Sequence, residues 1–206
     1  MRVRRDKWAL LAALFLGLLL ADQWSKYLAV DRLTYALARP EGMSAPEKLR
    51  AFYTLRHLEP VATEPHYVWR PVWRMNYVEN PGAAWGLFRG FSEGFRTVFF
   101  GMVSVAAVAV ILNYYRKLRE EQRFLQLALA FVLAGAVGNF LDRLARGYVI
   151  DFVEWYWWNR PDLRWPTFNV ADSLIVVGVT MLVLHPGSSR EKARGGSRAA
   201  KEAGPA

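Results

Sequence analysis

The sequence predicts an all-α membrane protein with four transmembrane helices. Three observations carry that expectation. Four segments are apolar enough to cross a bilayer, Lys and Arg crowd the same ends of those segments, and the polar boundary residues collect at the opposite ends.

The first segment, residues 8–30, opens with an unbroken apolar run through residue 21, followed by Asp22, Gln23 and Lys26. Residues 95–115 contain VFFGMVSVAAVAVIL, diluted only by Ser104. Residues 124–141 are apolar except for Gln126 and Asn139, and residues 168–184 are apolar after Asn169 and Asp172. A bilayer core takes roughly 17 to 25 helical residues. The second and third segments fit directly; the first and fourth fit if their polar ends reach the interface. No window shows sustained strand-like alternation or a long internal repeat. The start, MRVRRDK before the apolar run, also has the layout of a secretory signal. A cut after Ala21 would place Leu19 where a small residue is needed, so the segment is read as a retained span.

Charge placement sets the orientation. There are 27 Lys+Arg against 18 Asp+Glu, a formal net charge of +9. Arg2, Arg4, Arg5 and Lys7 precede the first span, and Arg116, Lys117, Arg119 and Arg123 join the second to the third. Arg190, Lys192, Arg194, Arg198 and Lys201 follow the fourth. Four spans put all of these on one side, which the positive-inside rule makes cytoplasmic together with both termini. The charge forms no aromatic-studded stripe, so no nucleic-acid partner is expected. Residues 1–186 are read as the membrane domain. Residues 187–206 are read as a disordered basic cytoplasmic tail, either touching anionic lipid head groups or simply solvated.

Composition also limits the chemistry. With no cysteine, the chain has no disulfide, no thiolate metal site, no thiol nucleophile and no lipidated Cys of its own. HLEPVATEPH (residues 57–66) has no established metal spacing, and GxSxG, HExxH and phosphate-cradling glycine loops are absent. No metal or cofactor is expected.

In this topology Asp22 and Lys26, Asn139, Asp142 and Arg143, Asn169 and Asp172, and Asn80 of NPGAAWG all reach the outer face. Each has a plain structural reading. Asp22 and Lys26 are i and i+4 and suit an ion pair. Asp142 stands beside Arg143 and reads as its ionised structural partner, while Arg143 can snorkel. Asn169 and Asp172 match a helix N-cap and an acidic third residue. Ala134, Gly135 and Gly138 suit close helix packing. Asp151, in YVIDFVEWYWW, is harder to explain structurally. Its Trp- and Tyr-rich surroundings read as an interfacial belt, and desolvation there raises a carboxyl pKa. Asp151 and Asp172, neither beside a basic residue, are the best candidates for a carboxyl pair sharing one proton, able to act as base and acid.

DQWSK (22–26), NPGAAWGLF (80–88), GNFLDR (138–143), GYVIDF (147–152) and FNVAD (168–172) together resemble the lipoprotein signal peptidases, also called signal peptidase II. The five motifs occur in that family's order, orientation and approximate spacing. The resemblance implies a multi-pass aspartic endopeptidase of the bacterial inner membrane, active near the extracytoplasmic face. It would cut diacylglyceryl-modified prolipoproteins on the N-terminal side of the lipidated cysteine, using no cofactor. It implies a catalytic dyad at Asp151 and Asp172. Asn80, Asn139, Arg143 and Asn169 would support the site and contact substrate, with Asp22 and Lys26 holding the structure around it. The implied partners are the prolipoproteins and membrane lipids, with the enzyme a monomer. The resemblance also implies a small extracytoplasmic β cap, for which residues 31–76 form an enlarged loop. Trp85 stands where the family usually has Phe. Two other readings use the same residues: a non-catalytic proton or ion relay, and an assembly scaffold with Asp22–Lys26 and Asp142–Arg143 as structural pairs.

Overall fold

The computed structural model describes residues 6–38, 42–82 and 90–185. The basic tail, Trp85 and the rest of NPGAAWGLF beyond Gly82 lie outside the described residues.

Among the described residues, three helices are long and apolar enough to cross a membrane: α1 (Lys7–Leu33), α3 (Glu93–Lys117) and α4 (Arg123–Arg146). Between the first two, Ala45–Thr54 forms a short helix, α2. A fifth helix, α5 (Val170–Leu184), has 15 residues and rises about 22 Å, short of a bilayer core of about 30 Å. The described residues therefore show three spanning-length helices and one shorter apolar helix, where the sequence predicts four spans. Its late start has a local cause. Phe168 exchanges backbone hydrogen bonds with Val153, accepting at 2.9 Å and donating at 3.0 Å, and so is held in extended backbone.

Helix starts follow ordinary capping chemistry. Asp6 accepts from the Trp8 N–H at the start of α1, and Ser92 accepts from Phe95 at the start of α3. Ser44 and Glu47 form a capping box on α2; such a cap stabilises a helix by about 1 kcal/mol. Helix α4 stops at Gly147, whose φ of 82° favours glycine.

Helix α4 is central, packed against α1, α3 and α5. Its small residues permit the approach. A Cβ at Gly135 would strike the Ala171 carbonyl, and one at Gly138 the Asp22 carboxylate. Helix α3 leaves Val98, Met102, Val105 and Val110 exposed, as a lipid-facing helix does. At one end of the bundle, Lys7 Nζ donates to the Leu118 carbonyl at 2.6 Å, and Phe124 meets His185 at 5.8 Å between ring centroids.

Four strands form one antiparallel sheet in the order β1 (His66–Trp69), β2 (Trp73–Asn80), β3 (Val149–Trp157), β4 (Arg160–Arg164). The cap is thus wider than residues 31–76. It includes α2 and draws β3 and β4 from the connection between α4 and α5. One face covers a core of Val30, Leu33, Leu37, Phe52, Tyr77, Ile150 and Phe152. Trp155, Trp157, Trp158 and Trp165 remain exposed.

Candidate active site

The sheet register brings two candidate residues together. Val78 pairs with Asp151 and Asn80 with Val149. Because directly paired residues share a face, Asn80 and Asp151 project the same way. The Asn80 amide donates to Asp151 Oδ2 at 2.9 Å.

Asn169, the N-cap of α5, then joins Asp151 to Asp172. Its Oδ1 accepts from the Asp172 backbone N–H at 2.9 Å, and the Asp172 carboxylate accepts from the Asn169 N–H at 3.3 Å. That capping box fixes which way the Asn169 amide faces. Its NH2 points at Asp151 Oδ1, 2.7 Å away. The expected helix cap is therefore present, and the same side chain also serves the site.

Asn139 completes the link from α4. Its Nδ2 donates to Asp172 Oδ1 at 2.7 Å, while its Oδ1 accepts from Lys26 Nζ at 3.1 Å. An ammonium only donates, and the Asn169 NH2 donates to the same oxygen at 3.1 Å, so the two together set the amide orientation that turns the Asn139 NH2 toward Asp172. Each carboxylate is thus addressed by an asparagine whose orientation is set on its other side.

Beneath these lies a buried charged cluster. Lys26 pairs with Asp22 Oδ2 at 2.9 Å, as its i,i+4 spacing predicts, and with Asp142 Oδ2 at 2.8 Å. Asp22 Oδ1 accepts the Ala171 N–H at 2.9 Å, tying α1 to the first turn of α5. The expected Asp142–Arg143 pair is not formed. Asp142 pairs instead with Arg146 at 2.9 Å, because i and i+4 share a helix face and adjacent residues do not. Arg143 donates to the carbonyls of Gly82 (3.0 Å) and Asn139 (3.3 Å), and its guanidinium lies 4.4 Å from the Phe100 ring centroid. From there it acts electrostatically on both Asp172 and Asp151.

Asp22, Lys26, Asp142 and Asn169 are each fully buried, and Asp151 is 1% exposed. Burial, reinforced by the neighbouring Asp172 carboxylate, pushes Asp151 up to about 7. Donors from Asn80 and Asn169 pull the other way without reversing it. The site therefore holds two interacting carboxyl groups, one of which changes protonation near neutrality. A groove of about 360 Å³, lined by Arg56, Glu93, Thr97, Arg143 and Gly147, opens beside it.

All nine candidate residues lie in this one network or beside it. Sequence reasoning missed Arg146 and Gln23. Gln23 donates to Asp22 at 3.1 Å, and its carbonyl meets the Tyr53 hydroxyl at 3.4 Å. The i,i+4 spacing of Asp142 and Arg146 was an available signal, as was the place of Gln23 between Asp22 and Lys26 at the polar end of the first apolar segment.

Comparison with known proteins gives a consistent result. The family described as "Signal peptidase (SPase) II" matches residues 14–186. The lipoprotein signal peptidase of Anaeromyxobacter sp. (strain Fw109-5) is 69% identical over 194 residues, covering 94% of this chain and 92% of that one. The lipoprotein signal peptidase of Enterococcus faecalis (strain ATCC 700802 / V583) is 33% identical over 176 residues, covering 85% and 84%. Two solved structures of bacterial membrane enzymes share the fold at a TM-score of 0.59. They are 22% and 23% identical to this chain, cover 85% of it, and are themselves covered to 86% and 91%.

Proposed function

The chain belongs to the signal peptidase II family, membrane proteases that cleave signal peptides from prolipoproteins, and on that premise we propose that it works as an aspartic endopeptidase through Asp151 and Asp172. The observation that carries this reading is the asparagine bridge. Asn169 reaches Asp151 with its side-chain NH2 and the Asp172 carboxylate with its backbone N–H, and each carboxyl receives a second donor, from Asn80 or Asn139.

Near neutral pH the pair holds one proton, carried on the Asp151 side. Asp172 takes a proton from water as that water attacks the scissile carbonyl. Asp151 hydrogen-bonds the carbonyl oxygen as charge develops there, then assists departure of the amine. Asn80, Asn139 and Asn169 keep both carboxyls oriented. Arg143 supplies positive charge beside the pair. Asp22, Lys26 and Asp142 hold the bundle around it. The chemistry needs no metal.

The proposed substrates are prolipoproteins bearing diacylglycerol on the signal-box cysteine, cut on the N-terminal side of that residue by a monomeric enzyme. The termini are proposed to be cytoplasmic and the site extracytoplasmic, as a domain of residues 1–186 followed by a tail of 187–206. The layout supports that orientation, since the site and the Lys7–Leu118 contact lie at opposite ends of the bundle. Mass spectrometry of the products from a diacylglyceryl-modified prolipoprotein and its unmodified control tests substrate and cut site together. Cleavage before the lipidated cysteine, with the control intact, is expected; equal cleavage of the control would refute the lipid requirement.

A further inference from the structure

Helix α2 lies outside the membrane bundle, in the enlarged segment between α1 and β1, yet it is tied to the charged cluster by one side chain. Arg146, 1% exposed, donates through Nε and Nη2 to the Phe52 carbonyl at 3.1 and 2.7 Å. Phe52 lies in the last turn of α2, where carbonyls have no partner within their own helix. The same guanidinium lies 4.2 Å from the Phe52 ring centroid and 5.4 Å from that of Tyr53. Its remaining arm, Nη1, donates to Asp142 Oδ1 at 2.9 Å. From Asp142 the chain of contacts runs through Lys26 and Asn139 to Asp172.

We propose that Arg146 is a positioning residue that couples the seating of α2 to the orientation of Asn139 at Asp172. Asp142 divides its two oxygens between Arg146 and Lys26, and Lys26 divides its donors among Asp22, Asp142 and Asn139. When α2 leaves, two of the Arg146 donors lose their acceptor, and a buried guanidinium with unmet donors withdraws toward water. Asp142 then draws the Lys26 ammonium to itself. Asn139 loses one of the two donors that hold its carbonyl away from Asp172, keeping the Asn169 NH2 at 3.1 Å, and its amide is held less firmly. A seated α2 thus accompanies a correctly oriented site. The link to catalysis rests on the peptidase reading; the link between Arg146 and α2 does not.

Because the chain has no cysteine, a labelled pair can be introduced cleanly. Arg50→Cys on the exposed face of α2 and Leu144→Cys on the exposed face of α4 carry spin labels whose separation reports the seating of α2. The parent pair should give one narrow distance distribution. Arg146→Met should broaden and lengthen it, and lower kcat on a lipidated prolipoprotein about tenfold while KM changes less than about twofold. Arg146→Lys keeps a cation against Asp142 without the fork for Phe52. It should release α2 as fully and cost less in kcat. If Arg146→Met does not fold, Asp142→Asn/Arg146→Met removes the stranded carboxylate and should show the same release of α2 when measured against Asp142→Asn alone.

An α2 that stays seated without Arg146 overturns the proposal. So does a released α2 with unchanged kcat, or a lost kcat with no movement of α2. If the parent cleaves no lipidated substrate, the peptidase reading and the positioning role fall together, and the distance measurement still decides whether Arg146 holds α2.

Discussion

Lys26 holds the carbonyl oxygen of Asn139 at 3.1 Å, and that contact, with a second from the Asn169 NH2, keeps the Asn139 amide nitrogen on Asp172, 2.7 Å away. A lysine 113 positions distant in sequence thereby helps set the direction of a hydrogen bond at the proposed catalytic pair. Neither partner is exposed enough for water to substitute freely, since Lys26 is fully buried and Asn139 is 8% exposed.

Removing that lysine should damage both fold and site. Lys26→Met leaves Asp22 and Asp142 buried without their shared cation. Breaking a buried pair this way costs about 3–5 kcal/mol. Thermal unfolding in detergent should show a large drop in Tm, and Asp22→Asn/Lys26→Met should recover part of it without restoring cleavage. Unchanged stability in the single variant would contradict the cluster's role.

Helix contact at Gly138 is equally specific. A Cβ there meets the Asp22 carboxylate, whereas one at Gly17 meets nothing within 4 Å. Gly138→Ala should destabilise by about 1–3 kcal/mol through overpacking. Gly17→Ala should be neutral or gain up to about 1 kcal/mol from helix propensity. Chemical denaturation of the two variants side by side checks the contrast.

The pH profile follows from Asp151. With this carboxyl pushed up to about 7, raising the pH through that value removes the shared proton, and activity should fall on the alkaline side. The Asn80 amide favours the ionised form of Asp151. Asn80→Ala should therefore raise the Asp151 pKa and move the alkaline limb of kcat/KM to higher pH, while lowering its maximum. A limb that moves to lower pH would contradict the assignment.

The same shift acts on stability. An Asp151 carboxyl whose pKa is higher in the folded than in the unfolded chain makes the folded state bind more protons. Stability therefore declines as pH rises from about 4 to about 7 and then levels off. Asp151→Asn lacks this ionisation, so its Tm should exceed that of the parent at pH 8 and approach it at pH 4 to 5. Thermal melts at the two pH values measure the difference.

The apolar runs and the boundary polar residues were legible because bilayer insertion and helix periodicity act locally. Asp22–Lys26 and the Asn169–Asp172 cap were visible for the same reason. What escaped depends on neighbours. Helix α4 continues past residue 141 to Arg146 because Asp142 and Arg146 find partners on α1 and α2. Helix α5 begins late because Phe168 is claimed by β3. Asp142 pairs with Arg146 rather than its sequence neighbour because the helix puts Arg143 on another face, toward Gly82 and Phe100. Proline-rich composition in residues 31–76 hid α2, whose start uses Pro46 in its first turn, where proline is tolerated.

The central claim is that Asp151 and Asp172 perform the hydrolysis, and single-turnover cleavage of a diacylglyceryl-modified prolipoprotein by Asp151→Asn and Asp172→Asn tests it most directly. Both variants should fold, insert into membranes and bind the substrate, yet leave it uncut over times in which the parent completes its turnover. Cleavage by either variant at close to the parent rate would contradict the account.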